Sequence, residues 1–254
     1  MEVQYQNLSK EDVFFIFKES HRLSSWFDPE ADPHAELTLD STVQDWRLAG
    51  DLIEWKELGR YLNIEFQINI SDDTWYRVLE PANEMTMHKV CDLISKNARL
   101  EVISPVKVLG NECISAAIFR FIKTNFAKRG MDTADLKPSS KIEPYLKKDF
   151  GIFLEQINKN FTGVITEIKT AKTKFETLNL IAWILGIITI FISMKWNSIW
   201  YIPLSLIGIA LFTGYLNSKE FEGNDKMMFI PEVDTFRDLI NLIITQKYAS
   251  QQKI

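Results

Sequence analysis

Cysteine is scarce in this 254-residue chain: only Cys91 and Cys113 occur, and they form no C-x-x-C pair. That excludes a disulfide framework and gives no zinc-knuckle spacing, so both are expected to be small buried residues. The three histidines, His21, His34 and His88, stand in separate stretches; only His88 has a His or Cys three or four positions away, Cys91, and one such pair does not make a ligand set, so no metal site is signalled. Phosphate-cradling and nucleophile-elbow motifs are missing too: there is no Walker loop, no G-x-G-x-x-G and no G-x-S-x-G. No nucleophile and base are paired by spacing. The chain is therefore expected to be non-enzymatic and to carry no cofactor. An excess of basic residues is also lacking. Residues 1–100 carry 10 positive and 19 negative charges (−9), residues 101–176 carry 13 and 9 (+4), and the rest balances at six each, giving −5 overall. An acidic first third repels phosphate, which excludes nucleic acid as its partner. The start, MEVQYQNLSKEDV, has neither a basic n-region nor an apolar h-region, so no signal peptide is expected. The acidic stretch FDPEADPHAE (27–36) has no glycine and two prolines, which suits a solvated loop better than a calcium loop.

What is present is dominated by two uncharged runs, Thr177–Met194 and Ser198–Leu216, of 18 and 19 residues. Each is long enough to cross a hydrocarbon core, for which about 20 residues suffice. Only Lys195, Trp196 and Asn197 separate them, which predicts a tight transmembrane hairpin. Trp196, Trp200 and Tyr201 fall at the turn, where interfacial aromatics belong. Lys169, Lys172 and Lys174 precede the first run, against Lys195 alone in the turn. The positive-inside tendency then places both termini in the cytoplasm, as a two-pass protein of the cytoplasmic membrane, with these lysines near anionic headgroups. The lipid bilayer is thus the first expected partner. Asn179, Thr189, Ser193, Ser205 and Thr213 are thin polar content for a pore.

Outside the runs the pattern is helical. LSKEDVFFIFKESHRL begins with Ser9 as a cap, DLIEWKELGRYL offers Asp51, SDDTWYRVL stops before Pro81, and TMHKVCDLISKN repeats apolar Met87, Val90, Cys91 and Ile94. Four such helices predict a small bundle over residues 1–99. The chain also resembles itself. LTLDSTVQDW (37–46) matches LKPSSKIEPY (136–145) at an offset of 99, and TMHKVCDLI (86–94) matches TFRDLINLI (235–243) at an offset of 149. The expected fold is all-α: two small four-helix bundles, residues 1–99 and residues 100–168 plus 221–250. The second is interrupted by the two-helix transmembrane hairpin at 177–216, and LEVISPVKVLG with Pro105 links the two.

Residues 9–98 resemble the acyl carrier protein fold. The resemblance lies in LTLDSTVQDW, AGDLIEWKELGRYLNIEFQINIS, the short DDTWYRVL helix and the closing TMHKVCDLI. The second copy is similar but more degenerate. In that family the second helix opens with Asp-Ser-Leu, and the serine carries a phosphopantetheine arm. Asp51 stands at the aspartate position here, Leu52 at the serine position and Ile53 at the leucine position, and residues 49–56 contain no serine. A leucine cannot form the phosphodiester. The resemblance implies a docking face made by Asp51, Glu54, Glu57, Asp72 and Asp73, and a cytoplasmic protein partner such as an enzyme of acyl-chain or lipid metabolism. The function expected is a membrane-anchored, carrier-like adaptor or scaffold. The alternative is a membrane effector or channel-like component forming a homo-oligomer through its hairpin.

Overall fold

The computed structural model describes residues 4–50, 52–170, 181, 183–185, 187, 188 and 228–248, and most of these are helical. They fall into two compact units, one drawn from Met1–Lys141, Asp149–Glu167 and Glu232–Ile254, the other from Ile142–Lys148 and Ile168–Pro231.

In the first unit, α1 (Lys10–Ser24) starts where the sequence signals it. The Ser9 hydroxyl accepts from the Asp12 amide at 3.0 Å while the Asp12 carboxylate accepts from the Ser9 amide at 2.9 Å. This reciprocal cap satisfies two donors that a helix start otherwise leaves open. A 3-10 turn, Ser25–Phe27, follows. The long connection expected next contains a further helix, α2 (Val43–Ala49), capped in the same way by Thr42 and Asp45. Residues 1–99 therefore hold five helices, not four, with α3 (Trp55–Phe66), α4 (Asp72–Leu79) and α5 (Met87–Asn97) completing the set.

The start of α3 differs from the expectation that Asp51 caps it. Asp51 itself lies outside the described residues, but Leu52, Ile53 and Glu54 are non-helical and Glu54 occupies the cap position. The reason is local. The Leu52 amide donates to the Arg47 carbonyl at 2.9 Å, and the Arg47 guanidinium pairs with Glu54 at 3.2 Å. Both contacts tie the segment to the end of α2 instead of winding it into α3.

The apolar stripes of α1 to α5 meet in one core. Val13, Val43, Leu79, Met87, Val90, Cys91 and Ile94 are fully buried there, and Phe17 stacks on Trp46 with ring centroids 4.7 Å apart. Burial pushes the Cys91 thiol up to about 12, with the charge of Glu11 adding to it. Cys113, by contrast, is only partly buried, so it is not the core residue expected. Its sulfur lies 3.2 Å from the Ser115 hydroxyl.

Three two-stranded antiparallel ladders modify the all-α expectation. β1 (Tyr5–Asn7) pairs with β2 (Arg99–Glu101), Tyr5 opposite Glu101, and brings together the two ends of the first helical set. The stretch expected as a linker forms a hairpin, β3 (Val106–Val108) and β4 (Asn111–Cys113). Its turn, Leu109 and Gly110, has φ of 52° and 86°. Two positive φ values suit a two-residue hairpin whose twist matches its strands, and glycine adopts them without strain. In the second unit β5 (Lys169–Thr170) pairs with β6 (Met228–Phe229).

The two matched stretches of sequence make the same hydrogen bonds at the same offsets. The Met87 amide donates to the Ser41 carbonyl, and the His88 amide to Leu39. Their counterparts are Phe236 to Ser140 and Arg237 to Pro138, with distances from 2.7 to 3.1 Å. Isolated bridges join Thr42 to Thr86 and Lys141 to Thr235. In each case the loop ending the first stretch receives the first turn of the closing helix, α5 in one copy and α8 (Phe236–Ile243) in the other. The second core is aromatic. Phe126 of α6 (Ile114–Lys128), Phe153 of α7 (Glu143–Asn160) and Phe236 are fully buried, with centroids 5.6 to 6.4 Å apart. Helix α7 has a non-helical residue, Asp149, with φ −135° and ψ 44°.

Beyond Asp149, α7 is fastened to α1 and α3 within the first unit. The Asn158 amide donates to the Ile16 carbonyl at 2.9 Å and to the Ser20 hydroxyl at 2.7 Å, and the Lys159 ammonium donates to the Glu65 carbonyl. Arg22 of α1 reaches the carbonyls of Ile165 and Thr166.

Among the described residues no helix is long and apolar enough to cross a membrane. Most of the hairpin expected at 177–216, including Trp196, Trp200 and Tyr201, lies outside the described residues, as do Lys172 and Lys174.

Candidate functional site

Helices α3 and α4 carry the acidic residues expected to dock a partner, and the structure sorts them into two kinds. Glu54 pairs with Arg47, and Asp72 lies 3.8 Å from the Lys56 ammonium and 3.9 Å from the Arg60 guanidinium. These exposed pairs are weak, on the order of 0–1 kcal/mol, but they cancel much of the local charge. Glu57 and Asp73 are exposed and make no ion pair among the described residues. Around them α3 exposes Ile64, the segment before it exposes Ile53, and α4 exposes Tyr76, whose ring meets Trp55 edge-on at 5.2 Å. The face is therefore mixed, acidic and apolar, rather than uniformly acidic.

Asn63 holds the two helices together. Its side-chain amide donates to the Ile70 carbonyl at 2.8 Å, and its oxygen accepts from the Ile70 amide at 3.0 Å and from the Trp75 indole at 3.1 Å. Gly59 lets the indole approach: a Cβ there would lie 2.7 Å from the Trp75 ring.

Leu52 is partly buried, packs against the first core and lines a cleft between α1, α2, α3 and α7. The cleft has a volume of about 250 Å³, a little below the ~300–1,000 Å³ usual for small-molecule sites. Its walls are apolar at Phe17, Trp46, Leu62 and Phe150, and polar at Ser25 and Glu65.

Along one wall and behind it lies a cluster of charges in which Glu65, Glu155 and Lys159 are buried. Glu155 is bound by Arg129 at 2.6 Å and by the Gln156 amide at 2.7 Å. Burial and the neighbouring carboxylates hold the Tyr61 phenol well above its ordinary value, although much of its ring is exposed. Glu65 is raised to about 8, first by burial and then by the charge of Glu155, with Lys159 and Arg129 pulling the other way. Burial lowers Lys159. Three buried polar atoms near or in this region, the Ser25 hydroxyl, the Arg129 Nε and the Gln156 Oε1, have no hydrogen-bond partner among the described residues.

Sequence reasoning missed Glu65, Glu155, Arg129, Lys159 and Ser25. A signal existed for Glu65. It falls on the buried stripe of α3 with Leu58, Leu62 and Phe66, where a charge is out of place. The acidic loop at 27–36 is held by backbone amides: Asp28 accepts from Glu30 at 3.0 Å and Asp32 from His34 at 2.9 Å. Of the residues expected at the membrane interface, only Lys169 is among the described residues, exposed in β5. No protein-family model, curated protein or solved structure matches the chain.

Proposed function

We propose that this chain is a non-enzymatic, two-pass membrane-anchored adaptor that docks a cytoplasmic protein through the exposed faces of α3 and α4. The observation that carries the reading is the set of exposed apolar side chains, Ile53, Ile64 and Tyr76, carried by the same segment as the exposed carboxylates Glu57 and Asp73, which make no ion pair among the described residues. Apolar anchors bordered by charge suit recognition of a protein surface, the anchors supplying affinity and the charges orientation. A partner with a basic rim around a shallow apolar pocket fits this face, in keeping with an enzyme of acyl-chain or lipid metabolism.

Two further points support the reading. Leu52 lacks the hydroxyl that a prosthetic arm needs, and it packs inward against the core. Within the first uncharged run, Ile181, Trp183, Ile184, Leu185, Ile187 and Ile188 are helical, each with 43–51% of its surface exposed. Large apolar side chains exposed together suit a lipid surface.

The test uses full-length protein carrying Glu57→Lys and Asp73→Lys together. Both forms are expected to stay with membranes through an alkaline carbonate wash, while the protein co-purified by the wild type is lost from the variant. The reading fails if the chain washes off, or if the variant retains the same partner.

A further inference from the structure

We propose that the cleft between α1, α2, α3 and α7 binds a small hydrophobic amine, an apolar body carrying one ammonium group, with Glu65 as its counter-ion and Ser25 as a hydrogen-bond acceptor. The proposal concerns a different part of the molecule from the docking face and stands independently of it.

The chemistry of the walls selects the ligand. The cleft's 250 Å³ accommodates roughly eight methylene-sized groups at about 30 Å³ each. Among the described residues its charged lining side chains are Asp28, Glu65 and Glu155, with no lysine or arginine on the wall. Glu155 is committed to Arg129 and Gln156, and Asp28 accepts from the Glu30 amide. Glu65 is 4% exposed, and its carboxyl makes no side-chain hydrogen bond among the described residues. Ser25 is 3% exposed and its hydroxyl has no partner among the described residues. An alcohol would serve Ser25 but bring no charge to Glu65, and a carboxylate would confront three acidic groups. An ammonium brings three donors and a positive charge, and so serves both residues. Phe17, Trp46 and Phe150 line the same cleft, and aromatic rings attract a cation over their faces.

The charges around Glu65 set the pH dependence. Glu155 opposes its ionisation, while Arg129 and Lys159 favour it. His21 lines the cleft with its Nε2 3.2 Å from the Ala49 carbonyl. With its carboxyl pushed up to about 8, Glu65 is mostly protonated at neutral pH. Binding an ammonium therefore ionises it, and its proton leaves to solvent.

The experiment is calorimetric titration of the full chain in lipid nanodiscs with hexan-1-amine, hexan-1-ol and hexanoate, at pH 7 and pH 9. The amine is expected to bind saturably at one site. Its apparent affinity should rise about tenfold between the two pH values, as the ionised fraction of Glu65 goes from about a tenth to about nine-tenths. At pH 7 the heat should depend on the buffer's ionisation enthalpy, reporting the released proton. Glu65→Gln, which mimics the protonated acid in shape, should remove saturable binding and leave only bilayer partition. Ser25→Ala should weaken binding several-fold and serves if Glu65→Gln does not fold. The proposal is overturned if the amine shows no saturable binding, if the alcohol or carboxylate binds as well, or if a folded Glu65→Gln binds the amine unchanged.

Discussion

Replacing Asn63 with alanine removes one amide and three hydrogen bonds from the junction of α3 and α4. The Trp75 indole is fully enclosed, so its N–H is left buried without an acceptor. That abandonment costs about 1–3 kcal/mol, and the two Ile70 backbone groups, which water reaches more easily, lose about 1 kcal/mol together. The expected loss is about 3 kcal/mol, a large share of the ~5–15 kcal/mol that keeps a domain folded. Asn63→Asp is the informative control. The carboxylate still accepts from Ile70 and Trp75, but its second oxygen replaces a donor 2.8 Å from the Ile70 carbonyl and repels it, so it should cost less than alanine by the retained Trp75 bond alone. Urea unfolding followed by tryptophan fluorescence measures both, with an unchanged denaturant slope showing that stability alone has moved. The reasoning is refuted if alanine stays within about 1 kcal/mol of wild type, or if aspartate proves as damaging as alanine.

Other consequences are as direct. Because Glu65 is raised to about 8 in the folded chain from an ordinary value of 4.5, the folded state holds a proton that the unfolded state has released between those values. Stability must therefore fall as pH rises through that window, by up to about 1.4 kcal/mol per pH unit. Glu65→Gln should flatten this dependence in melting curves at pH 5, 6.5 and 8; equal slopes for the two proteins would sink the assignment. Gly59→Val puts a branched side chain where the Trp75 ring lies 2.7 Å from a Cβ, so it should lower stability by about 1–3 kcal/mol and alter the near-ultraviolet tryptophan signal. A valine variant as stable as wild type would show that the ring can move aside freely.

The helices were legible where sequence carries a local cause. Ser9 followed by Asp12 announces α1 through capping chemistry, and the stripe of Met87, Val90, Cys91 and Ile94 announces α5 through periodicity alone, since Thr86 makes no side-chain cap bond. The offsets of 99 and 149 likewise predict where equivalent backbone bonds form. What escaped had no local signature. Three-residue strands such as Tyr5–Asn7 are too short to show alternation, and their pairing with Arg99–Glu101 is decided nearly a hundred residues away. The late start of α3 depends on the hold of Arg47 on Leu52 and Glu54. Glu57 and Asp73 are exposed, and the neutralisation of Asp72 by Lys56 and Arg60 needs the packed geometry. The Glu65, Glu155, Arg129 and Lys159 cluster is likewise assembled only when α7 meets α3, which no single segment specifies.

The docking face is tested most directly by placing a photo-crosslinking amino acid at positions 57, 64 and 73 in turn, with position 96 on α5 as the control, and irradiating intact cells. The adaptor account predicts one adduct of the same mass from all three positions on α3 and α4 and none from position 96. Adducts absent from all three, or equally strong from position 96, would contradict it.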